Sequence, residues 1–353
     1  MTHDLGELVE IIAFLVAMMV LARACADEGL FGALGRRVAR HASGLGRSLL
    51  LWAVGLAAVV TAAMSLDATV VLLTPVLVAA SARREFAYAS VRLANSGSTL
   101  LPVSNLTNLL VFGSTGLTFL GFTWAMLPVW VVAVAAEYVV LRLWFAADLR
   151  RPVDVPDAVT PVPLVPVVTV VAVLTALATG VTPWIPAAIG AVVVGVHALV
   201  LRRTRWRDLL VAANLPLSGV VLVWAAAVAW LGSTDVGARV GDVLPDGSGL
   251  WALLAVAMIA MIAANVVNNL PATLLLLPAA AAAGPASVLA LLIGVNVGAS
   301  LTLIGSIANV LWRQSGGRAV SSAREFHLLG VATTPVIVAL CTVVLWAWTS
   351  LIW

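Results

Sequence analysis

Two apolar stretches of this chain repeat each other at positions where polar residues interrupt them. Residues 95–110 (NSGSTLLPVSNLTNLL) align without a gap to residues 296–311 (NVGASLTLIGSIANVL), and SLDATVVLLTP at 65–75 echoes NLPATLLLLP at 269–278. Apolar segments broken by Asn, Ser, Thr, Gly and Pro at matching places in two halves are typical of the binding sites of secondary transporters. The duplication therefore predicts two structural repeats with a shared solute site in a membrane.

The composition supports an integral membrane protein. Of the residues, 62% are hydrophobic and 10% are charged, and the mean hydropathy is +1.11. The net charge of +3 does not indicate nucleic-acid binding, because the cations are all arginines clustered in short loops, which is a topology signal. The sequence thus predicts a multi-pass protein of the cell membrane, in contact with lipid and not with nucleic acid.

An enzyme finds little support. Cys25 and Cys341 stand singly in predicted helices and predict two buried apolar residues rather than a disulfide or a metal site. The four histidines show no metal-ligand spacing, and no motif predicts a nucleotide, a nucleophile or a cofactor. A membrane-embedded hydrolase and a purely structural membrane protein stay open as alternatives, and the paired kinks argue against both.

The length of the apolar runs, and the Gly, Pro and polar residues that interrupt them, predict the membrane crossings. Spanning helices are expected at residues 6–26, 85–113, 121–147, 162–180, 183–201, 208–232, 285–312 and 325–351. The stretches 47–82 and 249–283 each hold two apolar halves around a polar kink, and each half is short of the ~20 residues that a span needs. The predicted fold is an all-α polytopic membrane protein with about eight spanning helices, two re-entrant hairpins and two broken helices.

The arginines set the expected orientation, because positively charged loops stay in the cytoplasm. With re-entrant hairpins, one side receives Arg36, Arg37, Arg40, Arg47, Arg83, Arg84, Arg150, Arg151, Arg202, Arg203, Arg205, Arg207, Arg313, Arg318 and Arg324. Arg239 alone falls outside, in the acidic loop at 233–248. The two hairpins then dip in from opposite sides, so the repeats are inverted. The expected division is a first repeat at 1–147, a cytoplasmic linker at 148–161 and a second repeat at 162–353.

The kinks supply the candidate site residues. Kinks at membrane depth persist only where they line a cavity or are buried in protein. The expected solute ligands are neutral donors and acceptors: Ser65, Thr69, Ser104, Asn105, Thr107, Asn108, Asn268, Asn269, Thr273, Asn296, Thr302, Ser306 and Asn309. The alternative is that some of them only join helices through hydrogen bonds.

Asp67 is the one carboxylate at a predicted hairpin tip. Acids inside membranes commonly relay protons or bind cations, so Asp67 is the expected proton-coupling residue. The alternative is that it caps the second helix of the hairpin. Glu137, the other acid within a span, is expected to pair with Arg142, and Arg92 to reach a membrane surface.

At these residues the chain resembles the arsenite efflux permease family, the membrane subunit of arsenical pumps, within a superfamily that also holds dicarboxylate, citrate and sodium/proton carriers. The segments that carry the resemblance are NNLP at 268–271, GVNVGASLTLIGSIANVLW at 294–312, STLLPVSNLTNLL at 98–110 and the stretch 67–75. It implies that the hairpin tips and broken helices bind trivalent arsenic or antimony. It also implies export driven by protons, or by an ATPase subunit where one is present. Sodium as the coupling ion and a homodimer stay open.

The sequence departs from this family in two respects. Leu66 stands before Asp67, where the family usually has Asn, and the first repeat has two helices fewer before its hairpin than the second. A compact scaffold or a misplaced start codon would explain the second departure. Anion carriers of the citrate or dicarboxylate type and sodium/proton carriers therefore stay as alternatives, although the kinks hold no Arg or Lys to pair with an anion.

Overall fold

The structure is a computed structural model. It describes residues 2–42, 44–81, 83–152, 160–232, 234 and 243–353. Half of the linker expected at 148–161, together with Asp235, Arg239 and Asp242 of the expected outer loop, lies outside the described residues.

The described residues are almost entirely helical, as the apolar runs predict. The first half contains α1 (Thr2–Asp27), α2 (Leu30–His41), α3 (Gly46–Met64), α4 (Leu66–Ala68), α5 (Thr74–Ser81), α6 (Arg84–Ser96), α7 (Leu106–Phe112) and α8 (Phe119–Trp144). The second half contains α9 (Leu164–Ala178), α10 (Trp184–Val200), α11 (Trp206–Ala212), α12 (Leu215–Gly232), α13 (Leu250–Val267), α14 (Asn269–Ala283), α15 (Pro285–Asn296), α16 (Ile307–Trp312), α17 (Arg318–Val320) and α18 (Ala323–Ile352).

Five of these helices are long and apolar enough to cross a membrane by length and composition. They are α1, α3, α8, α13 and α18. Large hydrophobic side chains such as Leu120, Val131 and Trp251 are exposed on them, where a lipid bilayer would cover them. The fold class predicted from the sequence, an all-α multi-pass membrane protein with hairpins and broken helices, is confirmed.

Both hairpins turn at a residue in a strained backbone conformation. Ser65, between α3 and α4, has φ 125° and ψ 164°, and Asn268, between α13 and α14, has φ 81° and ψ 156°. Residues other than glycine rarely adopt this region, at a cost of order 1–3 kcal/mol, and such strain concentrates at functional sites. The two tips are therefore held in place by the structure around them.

The broken helices lose their regular hydrogen bonding where the duplicated motif places the polar residues. In the first repeat, α6 runs through a short 3₁₀ turn at Gly97–Thr99 into an irregular stretch before α7 begins. In the second, α15 runs into 3₁₀ turns at Gly298–Leu301 and Leu303–Gly305 before α16 begins.

The length of these helices places the breaks inside the membrane. At 1.5 Å per residue, α6 with 13 residues covers about 20 Å and α15 with 12 residues about 18 Å, against a hydrocarbon core of ~30 Å. Each hairpin tip bonds to the break of its own repeat, so the tips reach the same depth. The first legs, α3 and α13, reach spanning length, so the expectation that each leg is too short to cross is wrong for them. The second legs are shorter: α5 has 8 residues and α14 has 15.

A π-helical turn distinguishes the first hairpin from the second. The residues Thr69–Leu73 form a π-helix between α4 and α5, whereas α14 is α-helical throughout its matching part. A π turn bonds residue i to i+5 and so accommodates one extra residue per turn. The unequal length of 65–75 and 269–278 arises instead at the tips: counted from the strained residues Ser65 and Asn268, Pro75 and Pro278 each lie ten residues further on.

Candidate functional site

The matched asparagines Asn108 and Asn309 stabilise the two breaks in the same way. The Nδ2 of Asn108 donates to the carbonyls of Ser98 and Leu101 at 2.7 and 2.9 Å. The Nδ2 of Asn309 donates to Ala299 and Thr302 at 2.8 and 2.9 Å. These carbonyls have lost their helical partners, and an unpaired carbonyl at membrane depth is costly. Each asparagine therefore stabilises the break in its helix by supplying donors to two of these carbonyls.

A second matched pair joins the repeats to each other. The Nδ2 of Asn95 donates to the Oδ1 of Asn309 at 2.8 Å, and the Nδ2 of Asn296 donates to the Oδ1 of Asn108 at 2.7 Å. In the repeat alignment Asn95 corresponds to Asn296, and Asn108 to Asn309. The two bonds are thus one interaction made twice, and they hold the two breaks side by side.

Each hairpin tip is bonded to the break of its own repeat. In the first repeat, Ser104 Oγ donates to the carbonyl of Ala62 at 2.8 Å, and the backbone N–H of Leu66 donates to the carbonyl of Ser104 at 3.2 Å. In the second, Asn268 Nδ2 donates to the carbonyl of Ile304 at 2.8 Å. Tips and breaks therefore form one hydrogen-bonded centre.

Asn265 adds a further tie that the sequence analysis did not assign. Its Nδ2 donates to the carbonyl of Gly298 at 2.9 Å, and its Oδ1 accepts from both the N–H and the hydroxyl of Thr302. An Asn inside the apolar run of α13 is the signal that could have identified it.

A small cavity lies where the tips and breaks meet. It has a volume of about 40 Å³. Its lining comes from the beginnings of four helices and from one side of α1: Leu15, Leu66, Asp67, Asn105, Leu106, Thr107, Asn269, Leu270, Ser306, Ile307 and Ala308. None of these described lining residues is Arg or Lys, so the cavity offers amides, hydroxyls and one carboxylate.

Asp67 borders two cavities. Besides the central one it lines a wider cavity of about 360 Å³, together with Ser65, Arg23 and residues of α11. Its carboxylate has no hydrogen bond or ion pair to a described residue, and the guanidinium of Arg23 already pairs with Asp27 at 2.9 Å. The helix cap expected of Asp67 is made instead by Ser65, whose Oγ accepts from the N–H of Ala68. The capping alternative is wrong.

The structure separates the predicted site residues into two groups. Asp67, Asn105, Thr107, Asn269 and Ser306 line the central cavity, and Ser65 lines the wider one. The others make hydrogen bonds inside the protein: Thr69, Ser104, Asn108, Asn268, Thr273, Asn296, Thr302 and Asn309. Asn108 and Asn309 were expected to face a cavity. They line neither of the two cavities, because their side-chain amides donate to backbone carbonyls of the breaks. Asn95 was not among the expected site residues, although the repeat alignment places it opposite Asn296.

A buried ion pair lies beside this centre and differs from the expected one. Arg92 Nε donates to the carboxylate of Glu137 at 2.7 Å, and both side chains are buried. Thr333 and Thr334 accept from the same guanidinium, and Ser96 donates to Glu137.

The expected pair between Glu137 and Arg142 is wrong, and so is a surface position for Arg92. Five residues along a helix place two side chains on different faces. Accordingly, Glu137 is buried, whereas Arg142 is exposed and lies near Tyr138 Oη.

Known proteins place this architecture among membrane transporters. The chain is 28% identical over 338 residues to the arsenical pump membrane protein of Escherichia coli, an alignment that covers 85% of this chain and 77% of the relative. It is 25% identical over 387 residues to a 46 kDa membrane protein of Mycobacterium leprae, covering 98% and 87%. The resemblance to arsenite efflux permeases is confirmed, and the chain is a membrane transporter rather than an enzyme.

A solved structure shares the fold. The YdaH transporter of Alcanivorax borkumensis, whose crystal structure revealed an unusual topology, superimposes with a TM-score of 0.62 at 16% identity, covering 97% of this chain and 85% of that one. The model of the citrate transporter family matches residues 6–291. The chain therefore belongs to the citrate transporter family of multi-pass membrane proteins.

Proposed function

We propose that this transporter exports arsenite or antimonite from the cytoplasm by alternating access, with protons as the coupling ion. The observation that carries this proposal is the lining of the central cavity. Arsenite at neutral pH is the uncharged As(OH)₃, which needs hydrogen-bond donors and acceptors and no buried cation. Asn105, Thr107, Asn269 and Ser306 line the cavity from both repeats. The Nδ2 of Asn105 and the hydroxyl of Thr107 donate to Asn296, so these two side chains offer acceptor oxygens, and Asn269 and Ser306 offer an amide and a hydroxyl.

The size of the cavity supports a small solute. At the 10–15 Å³ that a buried water needs, about 40 Å³ holds roughly three water molecules. As(OH)₃ has four atoms other than hydrogen and is of this scale. Citrate has more than three times as many, so the conformation described here fits the smaller solute.

Asp67 is the proposed coupling group. It is the one carboxylate among the described residues of the central cavity, and it also borders the wider cavity beside α1 and α11. A carboxylate without a fixed partner can gain and lose a proton as the two cavities open in turn. The carboxylate of Glu137, by contrast, is held by Arg92 and Ser96.

A second candidate is a citrate or dicarboxylate carrier, and the match to the citrate transporter family favours it. Such a solute carries two or three negative charges at neutral pH. The described lining holds Asp67 and no cation to balance them, so this carrier would depend on backbone N–H groups at the helix beginnings. Sodium coupling, an ATPase subunit and a homodimer stay predictions from the resemblance.

Expression in a bacterium without its own arsenite exporter tests the proposal. The parent chain should raise the arsenite concentration that stops growth and lower the arsenic content of the cells. Asn269→Leu keeps the side-chain size but removes a cavity amide that makes no side-chain hydrogen bond to another described residue, and it should lose this protection at an equal amount of protein in the membrane. Unchanged sensitivity with the parent chain correctly inserted would exclude arsenite export.

A further inference from the structure

The symmetry between the repeats fails at one atom. Asn296 is fully bonded: its Oδ1 accepts from Asn105 Nδ2 at 2.9 Å and from Thr107 Oγ1 at 2.8 Å. Its counterpart Asn95 uses its Nδ2 in the same way, donating to Asn309 and Ser300. The Oδ1 of Asn95, however, is buried and has no hydrogen-bond partner among the described residues.

The sequence explains this failure. The repeat alignment places Ser306 opposite Asn105 and Ala308 opposite Thr107. Ser306 is shorter than an asparagine, and its Oγ instead accepts from the N–H of Ala308 at 3.1 Å. Ala308 has no hydroxyl. Both donors that serve Asn296 in one repeat are therefore missing for Asn95 in the other.

The two missing donors would have stood at the wall of the cavity. Ser306 and Ala308 both line the central cavity. Ala308 precedes Asn309, which holds the amide of Asn95. By the correspondence of the repeats, the unpartnered acceptor faces positions 306 and 308 from behind the cavity wall, because Asn95 itself does not line the cavity and its Oδ1 has almost no exposed surface. A buried carbonyl oxygen without a donor is costly. A group that enters the cavity and offers a donor at this point would relieve that cost.

We propose that the Oδ1 of Asn95 accepts a hydrogen bond from a hydroxyl group of the transported solute, and that Asn95 is a specificity-determining residue. This inference rests on the proposed function. A neutral hydroxylated solute such as As(OH)₃ carries O–H donors, whereas an ionised carboxylate offers only acceptors. The lack of a donor opposite Asn95 thus selects solutes that donate, and Ala308 supplies none.

Two variants of Ala308 test the inference. Thr and Val have nearly the same shape, but only Ala308→Thr restores the hydroxyl that Thr107 supplies to Asn296. In the purified full chain without solute, A308T should unfold at a higher temperature than A308V. Both should weaken binding of arsenite and antimonite about tenfold or more, measured as loss of the solute-induced rise in unfolding temperature.

The outcomes separate the two ideas. Equal unfolding temperatures for A308T and A308V would show that residue 308 does not face Asn95 and would overturn the inference. Arsenite binding by A308T at the parent affinity would overturn it too, while leaving arsenite export intact. If the parent chain binds neither arsenite nor antimonite, the proposed function is wrong. The proposed hydrogen bond from a solute hydroxyl to Asn95 is then wrong as well. The difference between A308T and A308V would then still report whether Asn95 lacks a donor.

Discussion

Asn95 and Asn309 lie in different repeats, and the Nδ2 of Asn95 donates a hydrogen bond to the Oδ1 of Asn309 at 2.8 Å. Asn309 in turn holds two backbone carbonyls of its own break. The same side chain therefore stabilises a broken helix and joins it to the other repeat. Alternating access requires the two repeats to share a site, and this bond fixes how their breaks face each other.

Asn309→Ala should destabilise the protein as well as stop transport. The substitution leaves the carbonyls of Ala299 and Thr302 without donors, and a buried unpaired group costs about 1–3 kcal/mol. In a double-mutant cycle with Asn95→Ala, the two losses should be less than additive by about 0.5–3 kcal/mol, because they share one bond. Thermal unfolding of the four purified proteins measures this. Full stability of Asn309→Ala would mean that the break does not need its side chain.

The ion pair between Arg92 and Glu137 should be strongly coupled. Arg92→Met alone leaves the Glu137 carboxylate buried without its cation, and such losses typically cost about 3–5 kcal/mol. Arg92→Met with Glu137→Leu removes both charges and should recover much of that loss. Arg142→Met, on the exposed side of α8, is the control and should change stability by about 0.5 kcal/mol or less. A double variant no more stable than the single one would contradict the pairing.

Labelling of single cysteines should follow the arginine count. In a chain freed of Cys25 and Cys341, which are both buried, Arg84→Cys should react with an impermeant reagent only from the cytoplasmic side. Ser248→Cys, at the opposite end of the second repeat's hairpin, should react only from outside. Reaction of position 84 from outside, while Arg47→Cys before the hairpin reacts from the cytoplasm, would show that the first hairpin crosses the membrane.

The contact of Asp148 with Arg84 should weaken in acid. Arg84 donates to the Asp148 carboxylate at 2.8 Å, and this bond holds the pKa of Asp148 below its ordinary value. Because the folded pKa is lowered, the stabilisation is present above the unfolded pKa of about 3.9 and is lost as the pH falls through the folded value.

Proteolysis measures this contact. Asp148 is the first residue of the linker expected at 148–161, so cleavage there should speed up below about pH 4 in the parent. Asp148→Asn should show the faster cleavage already at neutral pH, with little further change on acidification. The same steep pH dependence in the variant would show that another group titrates.

The sequence carries much of this architecture because polar residues are costly at membrane depth. Asn, Ser and Pro within apolar runs placed both hairpin tips and both breaks correctly. It could not show which atoms an amide bonds: Asn108 faces carbonyls of its own helix, while Asn105, three residues earlier, faces the cavity. Nor could it find the partner of Glu137, since Arg92 lies on another helix and spacing along one helix says nothing of it.

The most direct test of proton-coupled arsenite export uses everted membrane vesicles with an acidic lumen. Vesicles with the parent chain should accumulate arsenite, and collapse of the proton gradient should release it. Asp67→Asn should still bind arsenite but accumulate none, because the amide cannot carry a proton through the cycle; the exposed Asp246→Asn should behave as the parent. Proton-driven accumulation by Asp67→Asn at the parent rate would contradict the account.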